Sequence, residues 1–271
     1  MVKPAFFAGP IPRVIAHRGA SGMAPENTMA AFDLAVELGC RYVELDVRLT
    51  ADKKVVVCHD SMVDRVTEGS GKVANLTYDR LRSLDAGYRF TRDGGKAFPY
   101  RGKGVHMPLL EEVLQKHPEL CMYIELKDYR PLLLVKVLEL LERHGRLDDG
   151  TVLVSSFGHR ALKRMRRLSP KILTGSSRVE MWQLLLSTAL RAPVLFRGKG
   201  LAFQLPVRKL GVTCTSPKVV ALAHRLGLEV HTYTIDDENE MRRLLDMGVD
   251  GLFTNYPDRL HAVIASLGDR K

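Results

Sequence analysis

What the chain lacks narrows its class before any motif is read. It has no stretch of roughly 18 uncharged apolar residues, so no helix that crosses a bilayer is expected. Near its start, Pro-Ala-Phe-Phe-Ala-Gly-Pro-Ile-Pro follows a single lysine, without the apolar core of a secretory leader. Cysteine is scarce. Cys40, Cys58, Cys121 and Cys214 stand apart, mostly in apolar contexts, and no pair has metal-ligand or redox spacing. They are expected to be buried free thiols of a reducing compartment, which points to a cytoplasmic protein. No glycine-rich fingerprint follows the first apolar run, which weighs against a nucleotide-binding open sheet. Ser155 and Ser156 have no G-x-S-x-G context, which weighs against a nucleophilic serine. No H-x-H pair follows the first strand, which weighs against a zinc amidohydrolase. Internal repeats and low-complexity segments are missing as well.

What remains is 271 residues, 45% of them hydrophobic, enough to bury one large α/β core. The net charge of +10 suits anionic ligands. The basic residues are nonetheless dispersed. The densest run, residues 160–171, reads as a solvated helix face rather than a nucleic-acid patch, and no nucleic-acid partner is expected.

Short β-rich runs alternate with longer stretches of helical period. Strands are expected over residues 14–17, 42–49, 55–60, 122–126, 151–155, 171–174, 201–205, 229–235 and 251–254. Helices are expected over 27–38, 78–84, 109–116, 132–144, 179–190, 217–226, 238–247 and 258–267, with the basic run as a further helix. A turn near residue 52 makes 55–60 an antiparallel hairpin partner of 42–49, placing Asp46 roughly opposite His59. Eight parallel strands then remain. Repeated strand and helix in one chain of this length predict an α/β fold, a (β/α)8 TIM barrel spanning residues 1–271 as one domain. Residues 61–106, rich in glycine and charge, read as a small insertion or lid after the third strand.

The chemistry-bearing residues fall at strand tips, where such barrels hold their sites. Val14-Ile15-Ala16 ends in His17 and Arg18. Glu44 and Asp46 are two apart on one strand and share a face. Glu125 sits near the tip of another strand. Carboxylates facing a barrel interior need a cation between them, and three oxygen donors suit Mg2+ or Ca2+ rather than zinc. The alternative for Glu44 is an outward ion pair with a lysine or arginine. Lys127, two beyond Glu125, points the same way and would face an anion. Arg18 can grip a phosphate with two parallel hydrogen bonds. His17 and His59 suit a general acid–base pair. Asn27 could cap the first helix, which alone explains it, or touch a ligand, and Glu26 is a helix-start acid or a site residue. His106, His117, His144 and His224 are given no role.

Taken in order, His17-Arg18-Gly19, Pro25-Glu26-Asn27-Thr28, Glu44-x-Asp46, His59-Asp60, Glu125-x-Lys127, Ser156-Phe157 and the closing run from Gly248 to Asp258 resemble the glycerophosphodiester phosphodiesterase family. The match runs from about residue 14 to 260. The resemblance implies a barrel with a small insertion after the His-Asp strand. It implies metal-dependent hydrolysis of a small glycerophosphodiester to glycerol 3-phosphate and an alcohol. His17 and His59 would be the acid–base pair, Glu44, Asp46 and Glu125 the ligands of one divalent cation, and Arg18 and Lys127 the phosphate contacts. The nucleophile, water or the substrate's own glycerol hydroxyl, stays open, as does the oligomeric state. Where the family carries a W-T-x-[ND] run, this chain has Tyr233-Thr234-Ile235-Asp236, so Tyr233 would offer a smaller aromatic wall to the substrate. The apolar stretch 179–196 motivates a second expectation, lysophospholipase D chemistry with peripheral membrane contact.

Overall fold

The computed structural model describes residues 4–268; the first and last three residues of the expected 1–271 domain lie outside the described residues. A 3-10 turn (Ala5–Phe7) comes first. Then follow β1 (Arg13–His17), α1 (Met29–Glu37), β2 (Tyr42–Leu49), β3 (Val55–Val57), α2 (Tyr78–Arg82), α3 (Leu110–Lys116), β4 (Cys121–Leu126), α4 (Pro131–Arg143), β5 (Val152–Ser155) and α5 (His159–Leu168). The second half holds β6 (Leu173–Thr174), α6 (Arg178–Ala189), β7 (Ala202–Pro206), β8 (Arg208–Lys209), β9 (Val212–Thr213), α7 (Pro217–Arg225), β10 (Glu229–Tyr233), α8 (Glu238–Asp246), β11 (Gly251–Thr254) and α9 (Pro257–Gly268).

Eight parallel strands run in the order β6-β5-β4-β2-β1-β11-β10-β7. The last edge meets the first through two backbone bonds, Leu201 N–H to Thr174 O at 2.9 Å and Ser176 N–H to Ala202 O at 3.0 Å. This is the expected (β/α)8 architecture. Alternation along each strand builds two cores. Val14, Ala16, Val43, Leu45, Ile124 and Leu252 face outward under the helices, while Ile15, Tyr42, Tyr123, Leu153, Ala202 and Phe253 fill the barrel.

β3 pairs antiparallel with β2, Val47 against Val57, and Cys58 N–H donates to Asp46 O at 2.8 Å. Asp46 therefore faces Cys58, one residue short of the expected His59. The strand also ends at Val57, and His59 and Asp60 lie in the loop beyond it. The segment between β3 and α3 folds around its own cluster, with Val63, Tyr78, Leu81, Leu84 and Met107 at its centre. The β8–β9 hairpin was not expected. Its two-residue strands are too short to show periodicity, and its turn, Leu210-Gly211, has positive φ at both residues (49° and 79°), as tight hairpins require.

One helix start differs from expectation. Thr28, not Asn27, caps α1, its hydroxyl accepting from Ala31 N–H. Along α5 Arg160, Lys163, Arg164 and Arg167 face solvent and Ala161, Leu162 and Met165 face the core, as a solvated amphipathic helix should, while Arg166 turns in to pair with Glu180.

The barrel floor is closed by Phe6, fully buried against Tyr42 and Tyr123 with ring centroids 5.4 and 4.8 Å away. Above it lies Arg13, 1% exposed. All of its N–H groups are used: two go to the Glu229 carboxylate, both at 2.8 Å, and the rest to Gly9 O, Phe7 O and Tyr42 Oη. Burial alone would raise the Glu229 carboxyl, but hydrogen bonds from Arg13 and His231 hold it at about 2, against an ordinary 4.5. A depressed carboxyl stabilises the fold above its unfolded value, so this contribution is full above about 4.5 and fades as pH falls towards 2. Glu229→Gln is expected to cost roughly 3 kcal/mol near neutral pH, since it strands a buried guanidinium, and to flatten the loss of stability over that acid window. Urea unfolding across pH measures both. An acid limb as steep as the parent's would assign it to other carboxyls.

Candidate active site

The strand order decides which tips meet. His17 ends β1, Glu44 and Asp46 lie on β2 beside it, and Glu125 lies on β4 with Asp46 as its register partner. His59 arrives from the loop after β3 and Lys127 from just beyond β4. Oxygen atoms of Glu44, Asp46 and Glu125 lie within 4.8 Å of one another. Glu44 and Asp46 are 3% and 0% exposed, which rules out the outward ion pair considered for Glu44.

Burial and the charges of Asp46 and Glu125 raise the Glu44 carboxyl well above the usual carboxylate range. Burial also raises Glu125, against the pull of Lys127. Asp46 goes the other way: burial would raise it, but the Lys127 and Arg18 charges outweigh burial and lower it. Lys127 Nζ stands 3.1 Å from Asp46 Oδ1 and 3.0 Å from Glu125 Oε1. Neither of those buried oxygens accepts an aligned hydrogen bond. Two such oxygens beside a third carboxyl that burial and its neighbours drive towards protonation are what a hard divalent cation would satisfy, so the donor set fits one.

The first βα loop is built to serve these acids. Arg18 sits at φ 57°, outside the usual region for a side-chain-bearing residue, and Gly19 follows at φ 79°. A Cβ at Gly19 would fall 2.6 Å from the Ala31 backbone. This turn lets Arg18 N–H donate to Glu44 Oε2 at 3.0 Å while its guanidinium Nε approaches Asp46 Oδ2 at 3.2 Å. Asn27, at φ 56°, clamps Asp46 twice: its amide donates to Oδ2 at 2.8 Å, and its Oδ1 accepts from the Asp46 backbone at 3.2 Å. Glu26 anchors Arg18 at 2.9 Å and is itself gripped by Arg65 from the insertion. Arg65 also pairs with Asp60, whose Oδ1 is 2.6 Å from His59 Nδ1.

His17 is fixed from behind. Its Nδ1 lies 2.8 Å from Asn255 Oδ1, and the Asn255 amide donates to Asp236 Oδ2 at 2.7 Å. Asn255 N–H donates to Asp236 Oδ1 at 2.8 Å, which fixes the direction of the chain of bonds. His17 Nδ1 therefore carries the proton, and Nε2 presents its lone pair towards Glu44, 3.9 Å away. Burial and the Arg18 charge push His17 down to about 4, so it is unprotonated near neutral pH. His59 is lowered too, chiefly by burial.

These groups open onto a cavity of about 290 Å³ that Tyr233, Phe157, Ser156, Arg178 and Lys209 also line. All eight expected site residues are thus gathered at one end of the barrel. His117, His144 and His224 pair elsewhere, with Asp33, Glu111 and Asp250. Sequence spacing did not give Asn255, Asp236, Arg65, Arg178 or Lys209 a place here. Of these, Asn255 and Asp236 had a signal, in the closing run and in the run from Tyr233 to Asp236, where neither was given a role.

The glycerophosphoryl diester phosphodiesterase family model matches residues 17–259, from the first histidine into the last helix. The chain belongs to that family. A glycerophosphodiester phosphodiesterase of Bacillus subtilis (strain 168) is 35% identical over 263 residues, 92% of this chain and 85% of that one. Another, from Caldanaerobacter subterraneus subsp. tengcongensis, is 33% identical over 256 residues, 91% and 95% of the two chains. A solved phosphodiesterase of Oleispira antarctica, in complex with its product sn-glycerol-3-phosphate, is 30% identical with a TM-score of 0.77, over 94% of this chain and 97% of that one. The chain is accordingly a glycerophosphodiester phosphodiesterase, a phosphoric diester hydrolase.

For this phosphodiesterase, Asn255→Ala and Asp236→Ala are each expected to lower kcat roughly 10- to 100-fold, the scale seen when a side chain that orients a site residue is removed. KM should move little, because His17 loses its anchor while the substrate contacts stay. Steady-state kinetics with thermal unfolding on the same samples checks this. A change confined to KM would make Asn255 a substrate contact instead.

Proposed function

We propose that the enzyme cleaves small glycerophosphodiesters to sn-glycerol 3-phosphate and an alcohol, using His17 and His59 as its acid–base pair. The observation that carries this reading is the meeting of three carboxylates, two of them buried, two cations and two oppositely supported imidazoles around one cavity. Glu44, Asp46 and Glu125 would hold one divalent cation, Mg2+ or Ca2+. Bound there, it supplies positive charge against the negative charge that grows on the phosphoryl oxygens.

The chain's own residues do the rest. Arg18 and Lys127 bind the phosphate oxygens and are already in place, so the added charge meets a preorganised site. His17 Nε2 accepts the proton of the attacking hydroxyl, from water or from the substrate's glycerol; its low pKa keeps it free to do so. His59, held through Nδ1 by Asp60, returns a proton to the departing alkoxide from Nε2. One P–O bond forms and one breaks. Overall, water and diester give a phosphomonoester and an alcohol. Tyr233 packs 6.3 Å from Phe157 and from Phe253 and forms an aromatic wall of the substrate pocket. The segment after β3 acts with the barrel as one domain, its Arg65 tying both Arg18 and His59 to their partners. Four buried free cysteines and helices all too short or polar to cross a membrane among the described residues support a cytoplasmic location.

A lysophospholipase D reaction is the second reading. The exposed Val179, Leu186, Leu190 and Val194 along α6 and the turn after it favour it as a surface for peripheral contact with lipid.

Metal-stripped enzyme given glycerophosphoglycerol, glycerophosphocholine or lysophosphatidylcholine, with Mg2+, Ca2+ or EDTA, separates the two. Release of glycerol 3-phosphate that needs a divalent cation, and that falls by about 100-fold or more in His17→Ala, is the expected outcome. Turnover of lysophosphatidylcholine alone would favour the lipid reading. Full activity in EDTA would overturn the cation's part.

A further inference from the structure

The ring order sets Arg178 and Lys209 across the barrel from the acids. Arg178 opens α6, after β6, and Lys209 lies on β8, after β7; those two strands stand opposite β1 and β2 in the ring. Both side chains line the cavity of the candidate active site. They stand 5.2 and 5.3 Å from the centre of the Phe157 ring, and Lys127 stands 5.4 Å from it. Lys127 is answered by Asp46 and Glu125. Among the described residues, neither Arg178 nor Lys209 has a carboxylate within ion-pair distance. Arg178 is exposed and Lys209 half-buried, so this wall of the cavity carries two positive charges that no carboxylate of the described residues answers and that an entering anion would meet. The same wall holds two buried donors without hydrogen-bond partners, Ser176 Oγ and Gln204 Nε2.

The reacting phosphodiester bears one negative charge, and Arg18 and Lys127 already face it. A glycerol moiety is neutral and gains nothing from a second pair of cations. A choline or ethanolamine moiety is repelled by them. We propose that the wall formed by Arg178 and Lys209 is an anion subsite for the alcohol half of the substrate, so that this enzyme selects glycerophosphodiesters whose alcohol carries a further phosphate or carboxylate. The inference rests on the diesterase reading and adds the substrate class. Specificity here comes from both attraction and repulsion: the donors and cations bind the extra anion, and the same cations exclude an ammonium.

The test compares glycerophosphoglycerol with its terminal monophosphate ester, a pair that differs only in the added anion, and with glycerophosphocholine. For the native enzyme, kcat/KM is expected to be about 10-fold or more higher for the phosphorylated diester than for the neutral one, and lowest for the choline ester. In the double variant Arg178→Gln, Lys209→Gln, the ratio of phosphorylated to neutral diester should fall to near one. A choline ester turned over fastest would overturn the proposal. So would a variant that slows all three diesters equally, because the cations would then serve the reacting phosphate. No turnover of any diester by the native enzyme would sink the diesterase reading itself, an outcome distinct from the other two.

Discussion

Three carboxyl groups confined where water is scarce impose the condition that the rest of the site answers. Two are on one strand and the third is on its neighbour, so no rotamer change separates them. Left alone, they would repel one another and hold protons. The chain meets the difficulty with Lys127 between Asp46 and Glu125, Arg18 beside Asp46, and a backbone N–H aimed at Glu44. Each of these needs its own support. The left-handed turn at Arg18 and Gly19 presents the N–H, and Glu26 and Asn27 hold Arg18 and Asp46. A loop of about ten residues thereby sets the electrostatics of two strands.

The two histidines differ in what stands behind them. His17 leans on a neutral amide, which an aspartate orients; His59 leans directly on an aspartate that an exposed arginine also grips. A neutral partner leaves a buried imidazole uncharged, whereas a carboxylate partner favours its protonated form. The asymmetry supports the roles proposed for the pair, proton acceptance at His17 and proton donation at His59. It also makes the segment after β3 part of the site's framework, since Arg65 is the residue that joins the two sides.

Much of this was legible in the sequence because a strand has a period of two. Glu44 with Asp46, and Glu125 with Lys127, had to share faces, and an apolar run ending in His17 and Arg18 had to present them at a tip. What spacing could not show was contact between distant segments. Asn255 reaches His17 across 238 residues, and Asp236 reaches Asn255 from yet another strand end. Asn27 could be read as a helix cap or as a ligand contact; its positive φ and its two bonds to Asp46 take it out of the helix start, where Thr28 caps instead. Arg178 and Lys209 come together because the ring closes between β6 and β7. The β8–β9 hairpin that carries Lys209 is too short for any pattern to announce.

The floor of the barrel bears on how the molecule is made. Arg13 leaves the ribosome 216 residues ahead of its partner Glu229. At ordinary elongation rates that interval is on the order of ten to forty seconds. Throughout it, a guanidinium destined for the interior has no carboxylate to meet, and the Phe6 plug has only part of its socket. The ion pair beneath β1 therefore closes only when the tenth strand arrives, with β11, the other neighbour of β1, still to come.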